Sequence, residues 1–479
     1  MSVAEQSGAR LGRLARSVNI RERLDYSCAL FDGGGHLVAN APHIPVHLGA
    51  MGATVRDLIA SGVPLDRGQS WLTNDPAAGG SHLPDLTVIR AVHHEDERFF
   101  VACRGHHVDV GGLTPGSMPP HSRHLSEEGF AVRHLPLLID GHLRNLDGLF
   151  EGCRDMETVR ADLEAQLAAN ALAARRLKDL GSAALITTWM AHLQDTAADL
   201  VASRLSTLPT RGAVLRDTVG GVPLVLQLRI EGDACIVDLT GTGGPHLGNL
   251  NAPPAVVRAA VLYALRVLVG TDIPLNEGAL RHVRILAPSP SIVHPPPQAA
   301  VAGGNVETSQ RIVDLVLRGA SYMASSAGTM SNLTLGGVGW SLYETIGGGQ
   351  GASPRGEGPS GRQIHMTNTR ATDPEVLETR LPLRLHQFRV RKGSGGDGTH
   401  GGGDGLIREI EVLAPATASL LASRRTSGAP GLGGRPGRAG KDEIYRQERW
   451  QPWNGTSHTL QPGDRVRIFT PGGGGYSPS

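Results

Sequence analysis

Apolar residues recur at helical spacing over residues 3–16 (VAEQSGARLGRLAR) and predict an amphipathic helix at the start of the chain. In SCALFDGGGHLVA (27–39), two apolar runs flank a Gly-rich turn, the pattern of a hairpin. A short helix is expected over 48–61, and LTNDP at 72–76 reads as a strand ending in a turn. LTVIRAV (86–92) and RFFVACRG (98–105) predict paired strands about the polar tip HHEDE at 93–97. Residues 155–206 form the longest helical region, with Ala and Leu at helical spacing and acids early. Basic residues come late, and Gly181 serves as a stop. From about residue 215 the pattern turns strand-rich. A hairpin (LVLQLRIEGDACIVDLTGTG) is followed by the turn NAPP and by helices over 255–269 and 308–326. Beyond 336, the bends GGGQG, GSGGDG, HGGGDG and PGGGGY punctuate short strands.

Together these elements predict a mixed α/β fold: a large two-lobed body with a helical block in the middle and a Gly-rich, β-rich C-terminal part. The expected parts are an α/β segment over 1–154 carrying a His/Asp cluster, the helical block over 155–214, and the Gly-rich α/β segment over 215–479. Hydrophobic residues at 40% and charged residues at 19% support a packed core rather than disorder. Glycine, 64 of 479 residues, is about twice its usual share of roughly 7%. A formal net charge of +1 gives no field for nucleic acid or a membrane surface. No signal-peptide layout and no long apolar run are visible, so a soluble, cytoplasmic protein is expected. Cys28, Cys103, Cys153 and Cys235 form no CxxC pair and are expected to be free thiols.

The densest polar cluster lies between 74 and 124. Asp75 sits in NDPAAGGSHLPD, which also holds His82 and Asp85; RGHHVDVGG then brings His106, His107 and Asp109. Imidazole plus carboxylate is the donor mix of borderline divalent metals. A Gly-rich loop delivering His82 and Asp85, beside a strand end delivering His107, could supply three ligands and leave open positions. Turn capping is the competing reading for the same residues. His43 and His47 in APHIPVHLG form a second pair, which Pro45 keeps off a regular helix. GGNVETSQR places Asn305, Glu307 and Ser309 before a helix, where backbone amides favour anions. SGRQIHMTNTR offers His365, Asn368 and Arg370. No GK[ST] phosphate loop, GxGxxG, GxSxG or kinase signature is present.

The text NIRERLDYSCALFDGGGHLVANAPHIPVHLGAMGATV resembles the start of the hydantoinase B/oxoprolinase family. So do, in the family's order, GGSHLPDLTVI, RGHHVDVGGLTPGSMPPHS, GNLNAP, DIPLNEG, VAGGNVETSQRIVD, YETIGGG, HMTNTRATDPEVLE, GGGDGLIRE and TPGGGGY. AEQSGARL, GGSHLPD and GPHLGNLNAP most resemble the C-terminal half of 5-oxoprolinase. Against the family pattern, the N-terminus is short by about a helix and 206–220 looks shortened.

The resemblance implies the B-type subunit of an enzyme that opens a cyclic amide, 5-oxoproline or a hydantoin, at the expense of ATP. Related members carboxylate ketones. ATP would be used by a separate A-type subunit of actin-like fold, giving a hetero-oligomer. By motif position the resemblance implies a divalent metal (Mn, Zn or Fe) held by Glu22, His82, Asp85 and His107, with His106 the competitor for the last place. Within that frame the metal would supply the nucleophilic water or stabilise the oxyanion. Asp75 or Asp109 would orient ligand imidazoles, His43 or His47 would act as general base, and Glu307 is a further catalytic candidate.

Overall fold

Every strand expected before residue 145 joins one antiparallel sheet. The computed structural model describes residues 2–478, apart from 42, 43, 48, 147, 149, 151, 209, 210, 271, 272 and 275. The sheet's strands are β1 (Tyr26–Phe31), β2 (Leu37–Asn40), β3 (Ser70–Thr73), β4 (Asp85–His94), β5 (Glu97–His106), β6 (Leu135–Ile139) and β7 (His142–Leu143), in the spatial order β2-β1-β5-β4-β3-β6-β7. The β4–β5 hairpin turns at Glu95, whose φ is 50°, inside the expected tip. Its register runs from His94 opposite Glu97 to Asp85 opposite His106 at the open end.

Side chains alternate across this sheet with the period of two that a pleated strand imposes. Phe99 and Val101 face Val3, Ala173, Leu177 and Ile186 on helices of one side. Phe100 and Ala102 face Met51, Val55 and Leu58 on the other. The helices are α1 (Ser2–Leu14), α2 (Val18–Arg21), α3 (Ala50–Ala60), α4 (Met156–Lys178) and α5 (Ala183–Ser206). The long helical region is thus two helices, parted at Gly181 and started separately by the Asp155 and Ser182 side chains, which accept from Thr158 N and Leu185 N.

The second sheet comprises β8 (Arg211–Val219), β9 (Val222–Glu231), β10 (Ala234–Asp238) and β11 (Val283–Leu286), ordered β11-β10-β9-β8, with only the β10–β11 pair parallel. It shares a core with α6 (Pro254–Val269) and α7 (Ser309–Gly319). Ile44 and Val46 from the first part and Val201 and Leu205 from α5 enter the same core. The remaining strands are β12 (Asn332–Gly337), β13 (Trp340–Thr345), β14 (Leu383–Arg391), β15 (Gly405–Val412), β16 (Ala416–Leu421), β17 (Lys441–Arg446), β18 (Arg449–Pro452), β19 (His458–Leu460) and β20 (Arg465–Phe469). They form two sheets, β13-β12-β16-β19 and β14-β15-β20-β17-β18. Leu335, Leu342, Ile410, Val412 and Ile468 pack between the two.

The Gly-rich bends stack backbone on backbone: a Cβ at Gly349 would lie 1.8 Å from Gly403 O. All four cysteines are free, and Cys28 faces Cys103 across the β1–β5 pair with 3.0 Å between sulfurs. Among the described residues no helix is long and apolar enough to cross a membrane.

A single π-turn over Gly304–Thr308 leads into α7. A Cβ at Gly304 would lie 1.8 Å from Asn251 O and 2.1 Å from its carbonyl carbon, so this backbone seats only glycine. Gly304→Ala is expected to lower stability to urea by about 2–3 kcal/mol, the upper range for forced overpacking. Gly212→Ala in β8, where nothing lies within 4 Å, should be neutral or slightly stabilising. Equal losses in the two variants would contradict this packing account.

Candidate metal centre

The polar cluster assembles at the open end of the β4–β5 hairpin. Asp85 is the first residue of β4 and His106 the last of β5, and the register sets them opposite each other. The turn before β4 brings His82 back to the same point. His82 Nε2 lies 3.1 Å from Asp85 Oδ1 and 3.2 Å from His106 Nδ1, and His106 Nδ1 lies 3.5 Å from Asp85 Oδ1. All three side chains are buried. Donors held 2.0–2.2 Å from a tetrahedral ion stand about 3.3–3.6 Å apart, so this triangle matches one face of a coordination shell. Two imidazoles and a carboxylate suit Zn²⁺, Mn²⁺ or Fe²⁺. The adjoining cavity, of about 20 Å³, is lined by Asp25, His47, Asn305, Met330 and Tyr343 among others. It has room for one ion or water.

Electrostatics favour the metal-binding protonation states. Burial alone would push the Asp85 carboxyl up, but His82, His47 and the hydrogen bonds from His106 and His47 outweigh it and hold it well below the usual carboxylate range. Burial lowers the His106 pKa against the opposing pull of Asp85, which keeps a lone pair available. His47 Nε2 stands 3.3 Å from Asp85 Oδ2, and Ser81 Oγ donates to the same oxygen. That oxygen is therefore engaged, while Oδ1 faces the two other imidazoles. Arg104, pulled down to about 10 by burial with Asp85 opposing, closes the cluster from below by donating to Thr87, Ser81 and Thr54. Tyr343 stacks on His106 with ring centroids 4.6 Å apart and donates its hydroxyl to Asn332.

Of the residues expected as ligands, His82 and Asp85 are brought together and two are not. The structure puts His106 where His107 was expected. Consecutive strand residues point to opposite faces, and His107 turns away to pair its Nε2 with Gln166 Oε1 at 2.9 Å. Glu22 ends α2, half exposed, 3.7 Å from Arg21 and Arg380, and adds no donor to the triangle. Asp25, three residues further on, lines the cavity together with Asp85. Counting strand pairs outward from the HHEDE tip selects His106 over His107; nothing in the sequence pattern singles out Asp25.

The expected catalytic residues scatter. His43 lies outside the described residues. His47 has both ring nitrogens engaged, by Asp85 and by Ser27 Oγ at 3.0 Å, and so takes the ligand-orienting place expected of Asp75 or Asp109. Asp75 instead caps the turn Pro76–Ala78 by accepting from Ala77 N. Asp109 is buried in its own loop, accepting from Gly111 N and Gly116 N and pairing with Arg154. Glu307 faces away from the triangle. Burial pushes its carboxyl up, while Ser423, Thr329 and Met330 N donate to it. It borders a separate cavity of about 520 Å³ with His121, Arg123 and His246. His365 pairs with Asp314 at 3.0 Å, and Asn368 and Arg370 are exposed.

Replacing His106 with Ala should abolish binding of one divalent ion per chain in equilibrium dialysis, as should His82→Ala. His107→Ala and Glu22→Ala should keep it. Loss of the ion from His107→Ala with retention in His106→Ala would reverse the assignment.

Comparison with known proteins places the whole chain in one family. The chain is 43% identical to 5-oxoprolinase 1 of Arabidopsis thaliana over 99% of its own length and 41% of that protein's; it thus spans about two fifths of such relatives. It is 27% identical to caprolactamase subunit beta of Pseudomonas jessenii, over 97% of this chain and 87% of that one. The crystal structure of the ATP-dependent caprolactamase from Pseudomonas jessenii superposes with a TM-score of 0.87 at 24% identity, covering 99% of this chain and 89% of that one. A nucleotide-free acetone carboxylase structure superposes at 0.88 and 16% identity, covering 99% and 74%. The family description "Hydantoinase B/oxoprolinase" matches residues 1–479 from end to end, and the chain belongs to that family.

Proposed function

We propose that this chain is the B-type part of an ATP-dependent cyclic amide hydrolase that opens 5-oxo-L-proline to L-glutamate. The observation that carries the reading is the buried His82–Asp85–His106 donor set beside a small enclosed cavity. Similarity to 5-oxoprolinase 1 and to a caprolactamase subunit supports a lactam as the substrate class. Opening an unstrained five-membered lactam is uphill, and ATP coupling supplies the missing drive. An A-type partner that would spend the ATP is supported by the caprolactamase relatives, one a beta subunit and the other an ATP-dependent enzyme.

The chain's own residues divide the work. A divalent ion, when bound by His82, Asp85 and His106, would supply Lewis-acid polarisation at the ring carbonyl. His47 and Ser81 hold Asp85 Oδ2, which fixes the direction of Oδ1. Asp25 lines the same cavity, where a carboxylate can take a proton from the attacking water. Val46, Val306, Met330 and Met366 make an apolar wall that keeps bulk water out. The cavity is too small for the ring, so substrate entry requires this wall to move.

The test is to mix the purified chain with an A-type subunit, 5-oxoproline and Mg-ATP and to quantify glutamate. Glutamate should form only when both chains and ATP are present, and His82→Ala should lower the rate at least 100-fold. No glutamate from a stable complex would overturn the substrate. A hydantoin opened instead would keep the reaction class, and bicarbonate-dependent consumption of a ketone would replace it with carboxylation.

A further inference from the structure

The geometry points to Asn305 as the residue that sets the tautomer and aim of His82, through its side-chain oxygen; this rests on the metal reading above. His82 offers Nε2 to Asp85 and His106. A ring that gives that lone pair to an ion carries its proton on Nδ1 and needs an acceptor there. The group facing Nδ1 is the Asn305 amide, whose nitrogen is placed 3.0 Å away. In that orientation the Asn305 Oδ1 atom is buried with no partner. The oxygen and nitrogen of an amide are assigned by their hydrogen bonds, because the two orientations have the same shape. Turning the amide over places Oδ1 against Nδ1–H. It also leaves the amide N–H groups for an acceptor entering the cavity that Asn305 lines.

Asn305 is built to hold this place. Its backbone N donates to Val301 O at 3.1 Å, and its carbonyl accepts from Ser309 Oγ at 2.6 Å. Gly304 N donates to Asn249 O at 2.8 Å. One turn earlier, the Glu128 carboxylate accepts from the backbone N of Val301 and Ala302 and from Ser122 Oγ. The turn that carries Asn305 is therefore pinned at both ends. His106 is oriented differently: Tyr343 stacks on it, and its Nε2 has no partner among the described residues. Asn305 is thus a positioning residue for one ligand, donated by a segment more than 200 residues away from it in the chain.

The test titrates the full-length, metal-stripped chain with Mn²⁺ alone, and in parallel with Zn²⁺, by calorimetry, with folding checked by circular dichroism. Asn305→Ala should weaken binding 10- to 100-fold, the usual loss for an outer-sphere partner. Asn305→Asp, of the same shape and with an oxygen for Nδ1–H, should stay within about threefold of the parent. Equal binding by Asn305→Ala overturns the assignment, and so does equal weakening by both variants, because the acceptor oxygen would then not be what matters. A parent chain that binds neither ion overturns the metal reading and this assignment with it, an outcome distinct from the other two.

Discussion

A carboxylate with no exposure to water must be paired, and Asp85 is paired on every side. Removing one partner of a buried charge network typically costs about 3–5 kcal/mol, because the charge left behind is uncompensated. His47, Ser81, His82 and His106 all address Asp85, and Arg104 lies beneath them. Those residues come from the turn after β2, the loop before β4 and the end of β5. Satisfying this single carboxylate therefore fixes how three separate segments meet. The same contacts leave three donor atoms at spacings that suit a metal ion.

The rest of the architecture positions the fourth wall. The π-turn before α7 brings Asn305 to His82, and β13 brings Tyr343 to His106. Arg23, wholly buried, donates to Tyr343 O, Thr345 and Thr369 and so ties the segment after α2 to β13 and the loop beyond it. Glu128 does the same for the π-turn; burial raises its carboxyl to about 7 against the pull of the Val301, Ala302 and Ser122 donors. The centre thus sits where the first sheet meets the C-terminal part, closed to all but an ion or a water.

Much of this was legible in the sequence. Helical spacing over 3–16 and 255–269 gave α1 and α6 within a residue or two, because their apolar positions face a core that accepts only that period. The hairpin at 86–105 and the His82–Asp85 pair were also readable. Four assignments were not. His107 and His106 are chemically identical neighbours, and only strand parity, counted from the tip, separates them. Glu22 and Asp25 differ by three residues at a helix end, where the chain leaves α2 and no periodicity applies. Asp75 and Asp109 look like ligand partners in one dimension, yet both spend their oxygens on nearby backbone N–H groups, as aspartates in tight turns do. Asn305 looked like a helix-start residue, and its contact with His82 depends on a non-local approach that no local pattern encodes.

The central claim is that His82, Asp85 and His106 hold a divalent ion. Its most direct test is a crystal of the metal-loaded chain, with diffraction data collected on either side of the metal's absorption edge. The account predicts one anomalous peak within coordination distance of His82 Nε2, Asp85 Oδ1 and His106 Nδ1. A peak beside Glu22, His107 or Glu307, or no peak from a chain that retains the ion in solution, would contradict it.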